Sequence, residues 1–288
     1  MKPNGHRKDV LITGASGVIG TAIAGRLAAS GFNLHLTSRD SARLKELRRE
    51  LEKSGIQTWS YDLELSDLPR CERVVDEFFS RSENPFGLVC NAGDLGILGS
   101  FLDVDFGEWS KSLQHNFLGH AAMMHAFGRA FLAQGRKGGA IVLLSGAGLG
   151  SAVGHTHLSS YGTAKAALTY LSEALAPELK ELDMTINAIA PGQVKSGITK
   201  QAIQAGVERA GAYAEAAQKC MDKGGVSPDL GAELVDFLMS PAARRITGRL
   251  LSARFDQKRL REKADVISEN PDLYRLRRID DDLFARRP

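Results

Sequence analysis

The 288-residue chain lacks several features that would narrow its function at once. It has only three cysteines, Cys71, Cys90 and Cys220, with no paired spacing, which excludes a disulfide scaffold and fits a reducing compartment. It has no long apolar run. The most apolar stretch, GGAIVLLSGAGLGSAVG, is broken by Gly and Ser and falls short of the ~20 residues a membrane span needs. The opening MKPNGHRK is basic with no apolar segment behind it, so no signal peptide is expected and the cytoplasm is the simplest location. Nor is there an excess of one charge: a formal +3 does not argue for nucleic acid, and neither nucleic acid nor membrane is an expected partner. The charge is uneven, however. From Pro241 to the end, thirteen Lys and Arg face eight Asp and Glu. A solvated or subunit-contacting surface is one reading of that basic end, and a site for an anionic substrate is the other.

The chain does have the composition of an ordinary globular protein, 43% hydrophobic and 25% charged. Short β-branched and aliphatic runs alternate with helical patterns of about a dozen residues, which predicts βαβ units and a parallel sheet. The strand candidates are VLIT from Val10, NLHLT from Asn33, TWSY from Thr58, GLVC from Gly87, AIVLLS from Ala140, TINAIA from Thr185 and RLLSAR from Arg249. Between the second and third lies SARLKELRRELEKSG, with a Ser cap, Leu44, Leu47 and Leu51 at helical spacing, and Gly55 as the stop. No composition break marks a second domain: residues 1–255 read as one α/β domain and 256–288 as a charged extension. The end of that extension, from Pro271, is expected on the surface or on a neighbouring subunit. Residues 197–224, rich in Ala, Gly and Gln, read as one or two helices over the sheet edge.

The stretch DVLITGASGVIG, Asp9 to Gly20, is a strand, a glycine turn and a helix start. Gly14, Gly17 and Gly20 let the backbone turn sharply and approach a pyrophosphate, which the helix N-terminus then faces. Discrimination between cofactors falls at the end of the second strand, where an acid would hold a ribose 2′-hydroxyl. Here Ser38 stands in that place and Arg39 follows. A guanidinium suits a 2′-phosphate, so NADP is expected rather than NAD, with Arg43 a second candidate partner and Asp40 the cap of the next helix.

In SSYGTAKAALTYLSEAL, Tyr161 and Lys165 are four apart and share one face of a helix. A phenol is a poor acid or base at neutral pH, and a neighbouring ammonium is expected to lower its pKa. With TGASGVIG, YDL at Tyr61, CNAG at Cys90, HNFLG at His115 and NAIAPGQVKS at Asn187, the chain resembles the short-chain dehydrogenase/reductase family over roughly residues 8–255. The resemblance implies a doubly wound parallel sheet (Rossmann fold) of about seven strands. It also implies an NAD(P)-dependent oxidoreductase, a small-molecule carbonyl or alcohol substrate, and a homodimer or homotetramer. Tyr161 would be the acid/base, Lys165 would lower its pKa and bind the nicotinamide ribose, and Asn116 would hold a relay water. The cofactor would lie against Thr13, Gly14, Ser16, Gly17, Val18, Ile19 and Gly20, then Ser38 and Arg39, with Asp62 and Leu63 at the adenine. Asn91, Ala92 and Gly93 would follow it after the fourth strand, and Pro191, Gly192, Val194 and Ser196 would meet the nicotinamide end.

The family's carbonyl-polarising serine precedes the tyrosine by thirteen or fourteen residues. Ser145 stands sixteen before Tyr161 at a strand end, and Ser151 and Ser159 are the alternatives. The three-and-three glycine spacing resembles the extended, nucleotide-sugar branch. CNAG and the short remainder after Pro191 resemble the compact, carbonyl-reductase branch, and these outweigh the glycines. Compact members commonly end their last strand in Asp-Gly-Gly, whereas Arg254 and Asp256 stand there in this chain. The segment 197–224 is the expected substrate lid. A nucleotide-sugar epimerase or dehydratase and a non-catalytic nucleotide sensor remain the rival functions. His155 and His157, without a third ligand, are a poor metal site, and none is expected.

Overall fold

The structure, a computed structural model, describes residues 7–146, 149 and 156–277. Seven strands, β1 (Asp9–Ile12), β2 (Asn33–Ser38), β3 (Thr58–Asp62), β4 (Pro85–Cys90), β5 (Gly139–Leu144), β6 (Met184–Ala190) and β7 (Arg249–Ser252), form one parallel sheet in the order β3-β2-β1-β4-β5-β6-β7. Each run picked out in the sequence is a strand, with its ends moved by at most two residues. The helices are α1 (Val18–Ala29), α2 (Lys45–Glu52), α3 (Leu68–Arg81), α4 (Phe106–Leu113), α5 (Gly119–Ala133), α6 (Ser159–Glu178), α7 (Gly197–Ala210), α8 (Ala212–Lys223), α9 (Pro228–Leu238), α10 (Gln257–Glu262) and α11 (Ala264–Glu269).

The strands read as continuous apolar runs because both faces are covered. Side chains alternate between the faces. Val10, Ile12, Val142 and Leu144 pack with α1, α2 and α9, while Leu11, Ile141 and Leu143 pack with α3, α5 and α6. Chain winding reverses at β1, whose neighbours are β2 and β4, so a crevice opens beyond their C-terminal ends, where doubly wound sheets bind ligands.

One local reading is corrected, the Ser cap of the helix after β2. The helix expected from Ser41 begins as a 3₁₀ turn, Ser41–Leu44, and its cap is Asp40, whose carboxylate accepts from the Ala42 amide at 3.0 Å. Gly55, at φ +77°, does end that segment. The extension after residue 255 enters the core: Leu260 and Ile267 are buried in the same cluster as α9. Arg249, 2% exposed, donates to the carbonyls of Leu273 (2.6 Å) and Ile267 (2.8 Å), and the Leu250 amide donates to Tyr274 O at 2.7 Å. The extension thereby covers the open edge of β7, a place where a bare strand invites pairing.

Candidate active site

The glycine turn has its shape for steric reasons. Gly14 sits at φ +64°, and a Cβ there would lie 2.8 Å from Ala92 Cα. A Cβ on Gly20 would collide with the Gly14 carbonyl and lie 2.8 Å from both Ala15 Cα and Asn91 Nδ2. Gly17 stands at the N-cap of α1 without a side-chain cap, so no side chain claims the first amides, those of Val18 and Ile19. Thr13 is fully buried, and its hydroxyl accepts from the amides of Asn91 (2.9 Å) and Ala92 (3.0 Å). Asn91 Nδ2 returns hydrogen bonds to Thr13 O (2.9 Å) and Gly14 O (3.1 Å). Thr13 and Asn91 thus brace the turn. A cradle that side chains would fill, under a helix N-terminus, fits a dinucleotide pyrophosphate.

At the end of β2, Ser38 is buried, and its hydroxyl lies 3.0 Å from that of Ser16, tying the glycine turn to the second strand. Arg39 and Arg43 are exposed. Asp62 accepts from the Ser41 amide at 2.6 Å, and that hydrogen bond holds its carboxyl below the usual range. Leu63 donates its amide to Ser38 O at 2.9 Å and buries its side chain in the core.

Tyr161 and Lys165 stand one turn apart on α6, the ammonium 5.6 Å from the ring centroid. Lys165 Nζ donates to Leu144 O at 2.8 Å, which docks α6 onto the end of β5. Burial brings the Lys165 ammonium down to about 8. Burial also pushes the Tyr161 phenol up, and Tyr213 and Asp94 add to that. The expected lowering of the phenol's pKa by the lysine is therefore overturned: desolvation dominates, and Tyr161 holds its proton at neutral pH.

Asn116 is fully buried in one wide helical turn, Gln114–Leu118, where the Gly119 amide reaches back to Gln114 O. Its Nδ2 donates to Ser112 O (3.0 Å), and its Oδ1 accepts from the Asp94 amide (3.2 Å). A Cβ on Gly93 would sit 2.9 Å from Asn116 Oδ1 and 3.5 Å from Lys165 Nζ, so this glycine keeps the space between those groups open.

Ser145 lies at the end of β5, with its hydroxyl 2.9 Å from Lys165 O, to which it donates, and 2.7 Å from Thr169 Oγ1. Thr169 also donates to Lys165 O, at 3.0 Å. Ser151 and His155 lie outside the described residues. Ser159 accepts from the Trp109 indole at 3.0 Å and anchors the start of α6. Among the described residues no group of three or more His, Cys, Asp or Glu could hold a metal.

A cavity of about 290 Å³ gathers Ile19, Asn91, Gly93, Ser145, Tyr161, Lys165, Pro191, Gly192, Val194 and Ser196. Thr13, Gly14, Ser16, Gly17, Val18, Gly20, Ser38, Arg39, Asp62, Leu63, Ala92 and Asn116 do not line it. Gly146, Gln193, Ile198, Thr199 and Tyr213 line it as well, and the sequence reading passed over them. The signal for Tyr213 was present, since it is the one aromatic residue between 197 and 224. Helices α7 and α8 pack Ala202, Ala210, Ala214 and Ala217 with Tyr161, Leu95, Leu98 and Leu158 in a separate apolar cluster above the sheet.

The family described as short chain dehydrogenase matches residues 8–206, and the chain belongs to that family. It is an oxidoreductase of a family that binds NAD or NADP. Over 181 residues the chain is 29% identical to a diacetyl reductase of Staphylococcus epidermidis, covering 63% of this chain and 69% of that protein. It is 28% identical to a fatty acyl-CoA reductase of Acinetobacter baylyi, covering 65% of this chain and 63% of the relative. A third relative is an NADP-dependent mannitol dehydrogenase of Alternaria alternata, 29% identical over 64% of this chain and 69% of its own. The NAD+-bound structure of a xylitol dehydrogenase superposes with a TM-score of 0.75 at 26% identity, over 85% of this chain and 96% of its own. A putative short-chain alcohol dehydrogenase of Sinorhizobium meliloti 1021 superposes with a TM-score of 0.74 at 29% identity, over 88% and 96%. No helix among the described residues is long and apolar enough to cross a membrane.

Proposed function

We propose that this chain is an NADP-dependent oxidoreductase that interconverts a secondary alcohol and a ketone, with Tyr161 as acid/base. The observation that carries the reading is one cavity holding Tyr161, Lys165 and Ser145 opposite the residues after β6. When bound, the cofactor supplies a hydride to the carbonyl carbon, or takes one from the alcohol. In the reducing direction Tyr161 Oη gives its proton to the carbonyl oxygen, and the Lys165 ammonium offsets the desolvation that raises the phenol's pKa. Lys165 places positive charge beside the phenolate that results. The gap that Gly93 keeps between Asn116 Oδ1 and Lys165 Nζ has polar walls suited to a relay water.

Ser145 orients the carbonyl. Its rotation toward substrate costs little, because Thr169 Oγ1 already supplies Lys165 O with a hydrogen bond. Gly14, Ser16, Gly17, Val18, Ile19 and Gly20 hold the pyrophosphate, and Pro191, Gly192, Val194 and Ser196 the nicotinamide end. Helices α7 and α8, within 197–224, act as the lid over the unit 1–255.

NADP is favoured over NAD because neither acid near the end of β2 is available to a ribose hydroxyl. The Asp40 carboxylate caps the next turn, and that of Asp62 accepts from the Ser41 amide. Arg39 stands exposed between Ser38 and that capped turn. Titration of the purified protein with NADPH and NADH tests this. Arg39→Ala is expected to weaken NADPH about tenfold and leave NADH unchanged. An equal loss for both would remove Arg39 from the 2′-phosphate.

A further inference from the structure

The catalytic cavity has one charged side chain in its lining, Lys165. It shares a wall, Gln193 and Ala216, with a second and larger hollow of about 520 Å³. That second hollow is lined by two cations, Lys219 of α8 and Arg254 just after β7, and by no carboxylate. Among the described residues neither cation has an acidic partner within salt-bridge distance. Arg254 lies over the Phe255 ring at 5.1 Å. Of the acids nearest in sequence to Lys219, Asp222 accepts from Gln218 at 2.8 Å, and Glu215 lines a third hollow that Lys219 also borders, without an ion pair between the two.

The two hollows are strung along one ridge of α8. Tyr213 lines the first, Ala216 lines both, and Lys219 lines the second. Residues three apart lie on neighbouring turns of one helix face, and six residues advance the helix by about 9 Å. A molecule lying along this ridge has its reacting oxygen at Tyr161, beside Tyr213, and its far end at Lys219 and Arg254. The cofactor's 2′-phosphate does not reach this pair. Arg254 follows β7, five strands from the end of β2 where a 2′-phosphate belongs, roughly 24 Å across the sheet.

We propose that the second hollow is a subsite for the anionic terminus, carboxylate or phosphate, of the substrate whose carbonyl is reduced at Tyr161. This rests on the oxidoreductase reading of the catalytic cavity. A guanidinium and an ammonium line that hollow with no carboxylate in its wall, and a guanidinium can meet two oxygens of either anion in a bidentate contact. A long-chain oxo acid or the phosphate ester of a ketone is the class of substrate that fits. The basic charge of the chain's C-terminal part thereby acquires, in Arg254, a definite place in the site.

The test compares 8-oxononanoate, whose carbonyl and carboxylate are about seven bonds apart and so span the ridge, with its methyl ester, using NADPH. For the wild-type protein KM is expected about tenfold lower for the acid. In Lys219→Ala/Arg254→Ala the acid's KM rises to that of the ester, the ester's constants stay put, and added salt loses its effect on the acid. Both side chains are exposed, so the double variant keeps its fold. Equal KM values for acid and ester in the wild type, or a parallel rise for both in the variant, would overturn the subsite. Calorimetric titration with nonanoate and with octyl phosphate reads the subsite without turnover. Binding by the wild type that is lost in the double variant upholds it, and the tighter probe names the anion. Such binding without turnover of either ketone leaves the subsite standing and removes the ketone-reduction reading. Equal binding of both probes by wild type and variant overturns the subsite directly.

Discussion

The two ends of the cavity are built on different terms. At the ends of β1 and β4 the backbone is locked against itself: Gly14 on Ala92, Gly20 on Gly14 and Ala15, and Thr13 and Asn91 bracing both. No side chain can be added at Gly14 or Gly20 without a collision, whereas a Cβ on Gly17 would meet only Gly14 O at 3.4 Å. At the ends of β5 to β7 the walls are largely side chains from the helices above, with Tyr213, Ile198 and Ala216 set against Tyr161, and the close glycine approaches there, Gly192 on Val226 and Gly225 on Gln193 O, lie in the loops around them. In the proposed function the first end holds one rigid, shared shape, a pyrophosphate. The second end sets which molecule is turned over. A fold can therefore keep one end fixed while the other varies with the substrate.

The sharpest way to break this contrast is at the varying end. Tyr161→Phe removes the proton donor and leaves the glycine cradle untouched. It is expected to lower kcat/KM about 10³-fold while the NADPH dissociation constant stays within about twofold. Retained turnover in steady-state assays would take the acid/base role from Tyr161. Ser145→Ala comes next, with an expected loss of about 10²-fold in kcat, the usual cost of one lost oxyanion donor. An undiminished rate would hand that role to Ser151.

At the locked end the expected effect is on folding and cofactor binding together. Gly20→Ala forces a methyl against the Gly14 carbonyl and is expected to cost about 2 kcal/mol in urea unfolding, with loss of NADPH affinity. Gly25 lies on the same helix with nothing within 4 Å of a built Cβ. Gly25→Ala is therefore expected to be stabilising by about 0.5 kcal/mol, from the gain in helix propensity. Equal effects of the two substitutions would mean that the turn is not locked by contact.

The contrast also explains what could be read in advance. The seven strands and the glycine turn were legible because burial on both faces and close backbone approach leave few residue types permitted. Tyr161 and Lys165 stood out only when their helical spacing was joined to the strand-end serine and the glycine turn. The direction of the Tyr161 shift was not, because it depends on α7 and α8 burying the phenol, and no local spacing reports that. Tyr213, Gln193 and Arg254 lie in segments whose pattern is only that of solvent-facing helices and a strand end. Their meaning comes from the tertiary placement of α8 across the sheet. The burial of Leu260 and Ile267 was not legible for a related reason: they are seven apart on two short helices, too few apolar positions to declare a core face before the edge of β7 is in view.

A further expected effect is in pH dependence, and it carries two signs. Burial brings the Lys165 ammonium from an ordinary 10.5 to about 8. Between pH 8 and 10.5 the unfolded chain holds this proton and the folded chain has released it, so this group's contribution makes the protein more stable as pH rises through that window. Catalysis runs the other way. Above pH 8 the charge that supports the Tyr161 phenolate is lost, and kcat/KM for ketone reduction is expected to fall up to tenfold per pH unit. Lys165→Met removes both trends. Relative to it, the wild type gains melting temperature from pH 8 to 10 while its rate falls. A wild-type rate that stays flat from pH 7 to 10, with the melting difference still present, would mean that Lys165 is buried for the sake of the fold and contributes nothing to the proton at Tyr161.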